Sequence, residues 1–281
     1  MNRFFEKYNI FEKYNIYDYG IIPFEIIKND LIDCNNKKLI PKNSESVIIM
    51  LFPYYSKNLK KGNLSKYASV KDYHKIINEI SCKLLSDLKK AFPKEEFISF
   101  CDNSPIKEIK AAALSGLGII GKNGLLINKK YGSYCFLSAI VTTLKISNYK
   151  TFEIKNCIGC GLCEKICPGK AISNKKINTE NCLSNINQKK GELSSFEKNL
   201  ILKTGYIWGC DICQDVCPMN KNILETPIMD FKEDIKENLY LEDIESLSNK
   251  KFKEKFYDRA FTFKGVNVLK RNLKFFGNKD I

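Results

Sequence analysis

Twelve cysteines stand in this 281-residue chain, and eight of them fall between positions 157 and 217. The first four lie in CIGCGLCEKICPGKAI, 157–172, as a CxxCxxCxxxCP run. Cys182 follows alone in NTENCLSNINQKKG, and WGCDICQDVCPMN, 208–220, adds Cys210, Cys213 and Cys217 as CxxCxxxCP. Thiolates at this spacing suit a [4Fe-4S] cube, because a CxxCxxC loop wraps three corners and leaves the cysteine before proline for a second cube. Zinc is the alternative for clustered cysteines, but zinc knots use paired CxxC steps rather than one such run.

The crossover that bacterial ferredoxins use fixes the count. Cys157, Cys160 and Cys163 need a fourth ligand, which Cys217 supplies from the later proline position. Cys167 then serves the other cube with Cys210 and Cys213, and Cys182, the one cysteine left in the region, fills its last corner. Two [4Fe-4S] clusters use all eight thiolates. Cys34, Cys82, Cys101 and Cys135 have no ligand spacing and are expected as buried free cysteines in strands and helices.

Twelve cysteines without a secretory leader argue for metal ligation in a reducing cytoplasm rather than for disulfides. No run of eighteen apolar residues is present to span a bilayer, so no membrane partner is expected. With 44% apolar residues the chain can fill a core. The net charge of +14 rests almost wholly on lysine, with arginine only at 3, 259 and 271. That bias permits a polyanion partner without specifying one.

The elements ahead of the cysteines must position something for the clusters to serve. SVIIMLFPYY, 46–55, is a β-branched run that predicts a buried strand. DYHKIINEISCKLLSDLKKAF, 72–92, places Ile76, Ile80, Leu84, Leu85 and Leu88 on one helical face before Pro93. EFISFCD, 96–102, reads as a strand that delivers Asp102, and Ser104 and Pro105 read as the start of a helix that Gly116 and Gly118 end. YGSYCFLSAIVTTL, 131–144, is a further strand. These alternate without a βαβ rhythm, so the class is α+β, with domains expected at 1–150, 151–228 (two clusters) and 229–281 (a helical tail). FEKYNI occurs at 5–10 and again at 11–16, as expected for a duplicated exposed helical segment. The leading domain has neither a GxGxxG fingerprint nor a Walker motif, which leaves another cofactor or the substrate as electron acceptor.

The chain also resembles the epoxyqueuosine reductase family from about residue 38 to 275. The resemblance is carried by LIPKNSESVIIMLFPYY, KYASVKDYHKII, CDNSPIKEIKAAALSGLGIIGKNGLLINKKYGSY, both cysteine motifs with ENCLSN between them, and FKEKFYDRAFTFKGVNVLKRN. It implies a nitroreductase-like domain binding cob(II)alamin, followed by the ferredoxin-like two-cluster domain. The activity implied is reduction of epoxyqueuosine to queuosine at the wobble position of tRNA. It implies Asp102 as proton donor, in place of the helix N-cap that the residues alone suggest, with Asp72 and His74 in the same pocket. It further implies Lys122, Asn123, Leu126 and Leu137 around the corrin, with Ser184 and Asp211 facing it from the cluster side. The partners implied are the tRNA anticodon stem-loop, through lysines such as Lys57, Lys60, Lys61 and Lys66 and the segment KRNLKFF, and an electron donor such as ferredoxin or flavodoxin. A monomeric cytoplasmic enzyme is expected. A paralogue acting on another substrate, in the manner of reductive dehalogenases, and a cobalamin-free electron carrier are the alternatives. Departures from the family, Leu114 and Asn103 among them, bear on substrate contacts more than on redox chemistry.

Overall fold

The computed structural model describes residues 9–147 and 149–277. The chain folds into two compact units. Unit 1 comprises 1–53, 74–121 and 125–158; unit 2 comprises 54–73, 122–124 and 159–281. The second unit therefore gathers two earlier pieces of chain, and the segment 229–281 belongs to it.

Unit 1 is built on a four-stranded antiparallel sheet of β1 (Tyr19–Pro23), β2 (Ser46–Pro53), β3 (Phe97–Phe100) and, after the small hairpin β4 (Ile119–Ile120) and β5 (Leu126–Ile127), β6 (Cys135–Thr142). The order is β1-β2-β6-β3. β2 pairs along its full length with β6, Ile48 opposite Ile140 and Leu51 opposite Leu137. Every residue of β2 is buried, as a central strand covered on both faces requires. Val47, Ile49 and Leu51 share one face and pack with Ala111, Ala112 and Ala113 of the helix Glu108–Leu114. Three alanines present no bulk, so that helix can lie close on the sheet. Gly116, at φ 81°, turns the chain out of it.

The long helix runs from Tyr73 to Ala91. Ile76, Ile77, Leu84 and Leu88 are its buried apolar residues, whereas Ile80 and Leu85, expected on the same face, are only partly buried. Cys82 is exposed on this helix, contrary to a buried free thiol, while Cys34, Cys101 and Cys135 are partly covered. The second FEKYNI copy is not an exposed helix. It makes one 3-10 turn, Glu12–Tyr14, with Phe11 and Ile16 fully buried and the Phe11 ring stacked 4.2 Å from Tyr19. Its two large apolar residues gain more from the core than the segment loses in helical regularity. Most of the first copy lies outside the described residues.

Unit 2 has little regular structure. A two-residue hairpin, β7 (Ile172–Ser173) with β8 (Lys176–Ile177), follows the first cysteine run. The helix Ser195–Thr204 begins with a reciprocal capping box between Ser194 and Glu197 and ends at Gly205, φ 79°. Its Leu200 and Ile201 pack with Leu183, Ile186 and Tyr206. A second apolar cluster joins Leu64, Trp208 and Ile244 to Phe252, Phe261 and Leu269. Among the described residues no helix is long and apolar enough to cross a membrane.

Candidate functional site

The cysteine loops of unit 2 are held together by small and polar residues. Gly169, just after the Cys167-Pro168 step, lies so close to the main chain that a Cβ there would meet the Asn181 carbonyl oxygen at 1.9 Å. Only glycine allows this approach, which brings the Cys167 turn against the residue before Cys182. Asn187 is fully buried and clamps Gly209 from both sides, donating to its carbonyl at 2.8 Å and accepting its N–H at 3.0 Å. That pair ties the helix Leu183–Ile186, which follows Cys182, to the residue before Cys210. Asn272 braces the clamp by donating to the carbonyls of Asn187 and Ile207. The helices Leu162–Ile166 and Ile212–Asp215 pack on each other, one carrying Cys163 and the other Cys213.

The thiols of this region sense one another. Burial pushes the Cys213 thiol up to about 12, opposed by a hydrogen bond from Asn123, while Cys182, Cys167 and Cys163 raise it further. Burial likewise raises Cys210, with Cys213 and Cys182 adding to the shift. Cys213 thus lies within electrostatic reach of Cys167, Cys182 and Cys210, and of Cys163 as well. Thiols whose protons burial holds, as at Cys210 and Cys213, suit cationic iron, which relieves their charge on deprotonation. Main-chain donors are already aimed at sulfur: Ala171 N–H reaches Cys167 Sγ at 3.3 Å. Among the described residues, no three Cys, His, Asp or Glu side chains converge as a single ion requires; ligands at the corners of a cube need not. Cys160, Cys163 and Cys217 also belong to unit 2, whereas Cys157 lies in unit 1, its N–H bonded to the Ile120 carbonyl.

Asp102 follows β3 in a loop where it and Asn103 both take left-handed backbone, φ 55° and 42°. Two such residues in succession are sparsely populated and together cost about 2 to 6 kcal/mol, and neighbours hold them. The Asn103 carbonyl accepts from Asn36 Nδ2 at 3.1 Å and from Cys34 Sγ at 3.6 Å. Asp102 is not the cap of the next helix, which starts later than expected, at Glu108. Ser104 instead accepts from the Ile106 N–H within a turn. The freed carboxylate of Asp102 meets His74 Nε2 at 2.7 Å, with 51% of its side chain and 38% of the histidine's exposed. An acid paired with an imidazole and open to solvent can pass a proton outward and be resupplied.

Burial raises the pKa of a carboxyl that no sequence motif marks. Desolvation, aided by the charge of Asp102 and countered by a hydrogen bond from Ser104, pushes Glu108 up to about 8. Its Oε1 is buried without a partner. Nothing in its position at the start of an ordinary helical pattern signals this; the burial is tertiary.

The residues that the resemblance places around a corrin also make contacts within their own units. Leu126 is core, and Leu137 is partly buried against the same cluster. Lys122 Nζ meets Glu164 Oε2 at 2.6 Å, and Asn123 Nδ2 lies 3.8 Å from Cys213 Sγ. Asp211 is buried and accepts the Lys66 N–H at 2.7 Å; burial raises it to about 6, while Lys66 opposes the shift. The Ser184 carbonyl accepts from Gln188. Asp72 lies in unit 2, where its N–H donates to the Asp258 carbonyl at 2.7 Å; His74 lies in unit 1.

Residues 156–220 match the model of a 4Fe-4S double cluster binding domain, and residues 34–103 match that of epoxyqueuosine reductase QueG. Unit 2 thus carries most of a double-cluster domain, and the α+β unit 1 most of the family-specific region. An epoxyqueuosine reductase of Lactococcus garvieae is 35% identical over 76% of this chain and 61% of its own length. One of Atelocyanobacterium thalassa is 34% identical over 82% of this chain and 77% of its own. The chain therefore spans less than two thirds of the first relative and about three quarters of the second. The crystal structure of an epoxyqueuosine reductase with an epoxyqueuosine-modified tRNA stem loop shares the fold, with TM-score 0.79 and 22% identity over 98% of this chain and 81% of the other. Cysteine runs, α+β unit and relatives agree: the chain belongs to the epoxyqueuosine reductase family.

Proposed function

We propose that the chain reduces epoxyqueuosine to queuosine in tRNA. The carrying observation is the Asp102–His74 pair, set on a strained loop in the unit that contains most of the family-specific match. The reaction opens an epoxide to an alkene, consuming two electrons and two protons and releasing water. Breaking the carbon–oxygen bonds leaves charge on oxygen, and Asp102 is the acid for it. His74, at hydrogen-bond distance, orients that carboxyl and returns its proton.

Electrons enter through two [4Fe-4S] clusters, one held by Cys157, Cys160, Cys163 and Cys217, the other by Cys167, Cys182, Cys210 and Cys213. The electrostatic reach from Cys213 to Cys167, Cys182 and Cys210, beside the packing of the loops that carry them, supports the second set. Cobalamin comes to this reading from the family, as does a nitroreductase-like fold for unit 1. When bound it would supply the strongly reducing centre that an epoxide needs. Leu137 of unit 1 is partly exposed and free to line it, and Ser184 is likewise partly exposed in unit 2. Leu126, Lys122, Asn123 and Asp211, the other residues of that reading, also pack or pair within their own units.

The tRNA would be drawn by the +14 charge. Of the lysines expected at phosphates, Lys66 is withdrawn into a bridge with Asp215 at 2.5 Å, 14% of its side chain exposed, and Arg271 of KRNLKFF is spent on the Lys189 carbonyl. Lys57, Lys60 and Lys61 carry the reading. Nucleoside analysis of tRNA from a deletion strain tests it: epoxyqueuosine accumulates if the activity is right, and unchanged queuosine contradicts it.

A further inference from the structure

The loop between β4 and β5 belongs, at residues 122–124, to unit 2. It is fixed there on both sides. Lys122 pairs with Glu164, one residue from Cys163, each side chain about three-quarters covered. Gly124, at φ 76°, is turned so closely onto Ile177 of β8 that a Cβ would stand 3.1 Å from its side chain. Between these two anchors, Asn123 Nδ2 points to Cys213 Sγ at 3.8 Å, a reach of ninety residues along the chain.

Other sulfurs of this set take main-chain donors, Cys167 from Ala171 and Cys210 from Ile212. Cys213 takes a side-chain amide from a distant segment. Reduction of a [4Fe-4S] cluster adds one electron, and part of its charge appears on the ligand sulfurs. An N–H held against such a sulfur stabilises the reduced state more than the oxidised one, which raises the reduction potential. A donor already fixed by a partly buried ion pair and a glycine contact costs little to keep in place. Packing alone does not call for a primary amide at this position; a leucine would fill similar space.

We infer that Asn123 is a tuning residue that raises the reduction potential of the cluster bound by Cys213. It does so through its amide hydrogen bond to that ligand. The inference rests on the two-cluster reading above.

The test is a potentiometric titration of the full-length, anaerobically reconstituted protein, followed by electron paramagnetic resonance, with iron counted per chain. Asn123→Leu keeps the volume without the donor, and Asn123→Asp keeps the shape while replacing the donor with an acceptor. With iron at the wild-type level, the expected result is that one cluster becomes several-fold less reduced at a fixed ambient potential in the leucine variant and less still in the aspartate variant. The other cluster titrates unchanged. Equal potentials in wild type and Asn123→Leu would overturn the inference, as would equal shifts of both clusters. Loss of iron from both variants would overturn it too, since a residue needed to hold the metal does more than tune it. A wild-type protein without two clusters would instead refute the underlying reading.

Discussion

At Asp102 a short polar side chain tolerates a left-handed backbone that bulkier residues resist, and its carboxyl lies 2.7 Å from His74 Nε2. Replacing that carboxyl by an amide preserves the shape and removes the acid. Asp102→Asn is expected to lower turnover by about 10²- to 10⁴-fold with iron and corrin contents unchanged; full turnover would remove Asp102 from the mechanism. Glu108 makes a separate prediction. The helix N-terminus would favour its charge, but burial wins and raises the carboxyl from 4.5 to about 8. The unfolded chain releases that proton near the ordinary value, so between there and about pH 8 the folded state holds more protons. Its contribution to stability is full below about pH 4.5 and is lost as pH rises to 8. Urea midpoints should therefore fall less from about pH 5 to about pH 8 in Glu108→Gln than in the parent; parallel declines would contradict the assignment. Asp102 is singled out only by its segment's resemblance. Its strained backbone and the burial of Glu108 were not legible, because both depend on chain brought in from elsewhere, Asn36 and Cys34 in the first case.

Among the elements, the cysteine loops were the most legible, since a ligand run encodes its geometry within sixteen residues. Cys182 is reached only by counting, and its support lies in Gly169 and the Asn187 clamp, contacts that no local pattern announces. Cys182→Ala is expected to lose about half the iron and the signal of the Cys210–Cys213 cluster while sparing the other. Full iron would place the fourth ligand elsewhere. The strands and the helix Tyr73–Ala91 follow their hydrophobic periods. The helix expected from Ser104 begins four residues later because the serine hydroxyl is taken by a turn. The repeated FEKYNI misleads for the opposite reason: identical hexapeptides invite one local reading, and tertiary packing gives the second copy another.

Across the whole molecule, the grouping of 54–73 and 122–124 with the cysteine segment could not be read from composition, which changes only near Lys155. The charge could be read, but not its use. Lys66 and Arg271 are engaged internally, which leaves fewer cations for phosphate than the count suggests. Binding to a tRNA anticodon stem-loop should still weaken steeply with added salt, measured by fluorescence anisotropy, and a flat response would count against an electrostatic interface. The proposed activity is a chemical reduction, and it can be measured as one. The protein, reconstituted with iron, sulfide and cobalamin, is supplied with a low-potential electron donor and tRNA bearing epoxyqueuosine, and the nucleosides are then analysed. Conversion to queuosine, abolished by Asp102→Asn, is the predicted result; intact epoxyqueuosine after incubation with protein holding both clusters and the corrin would contradict it.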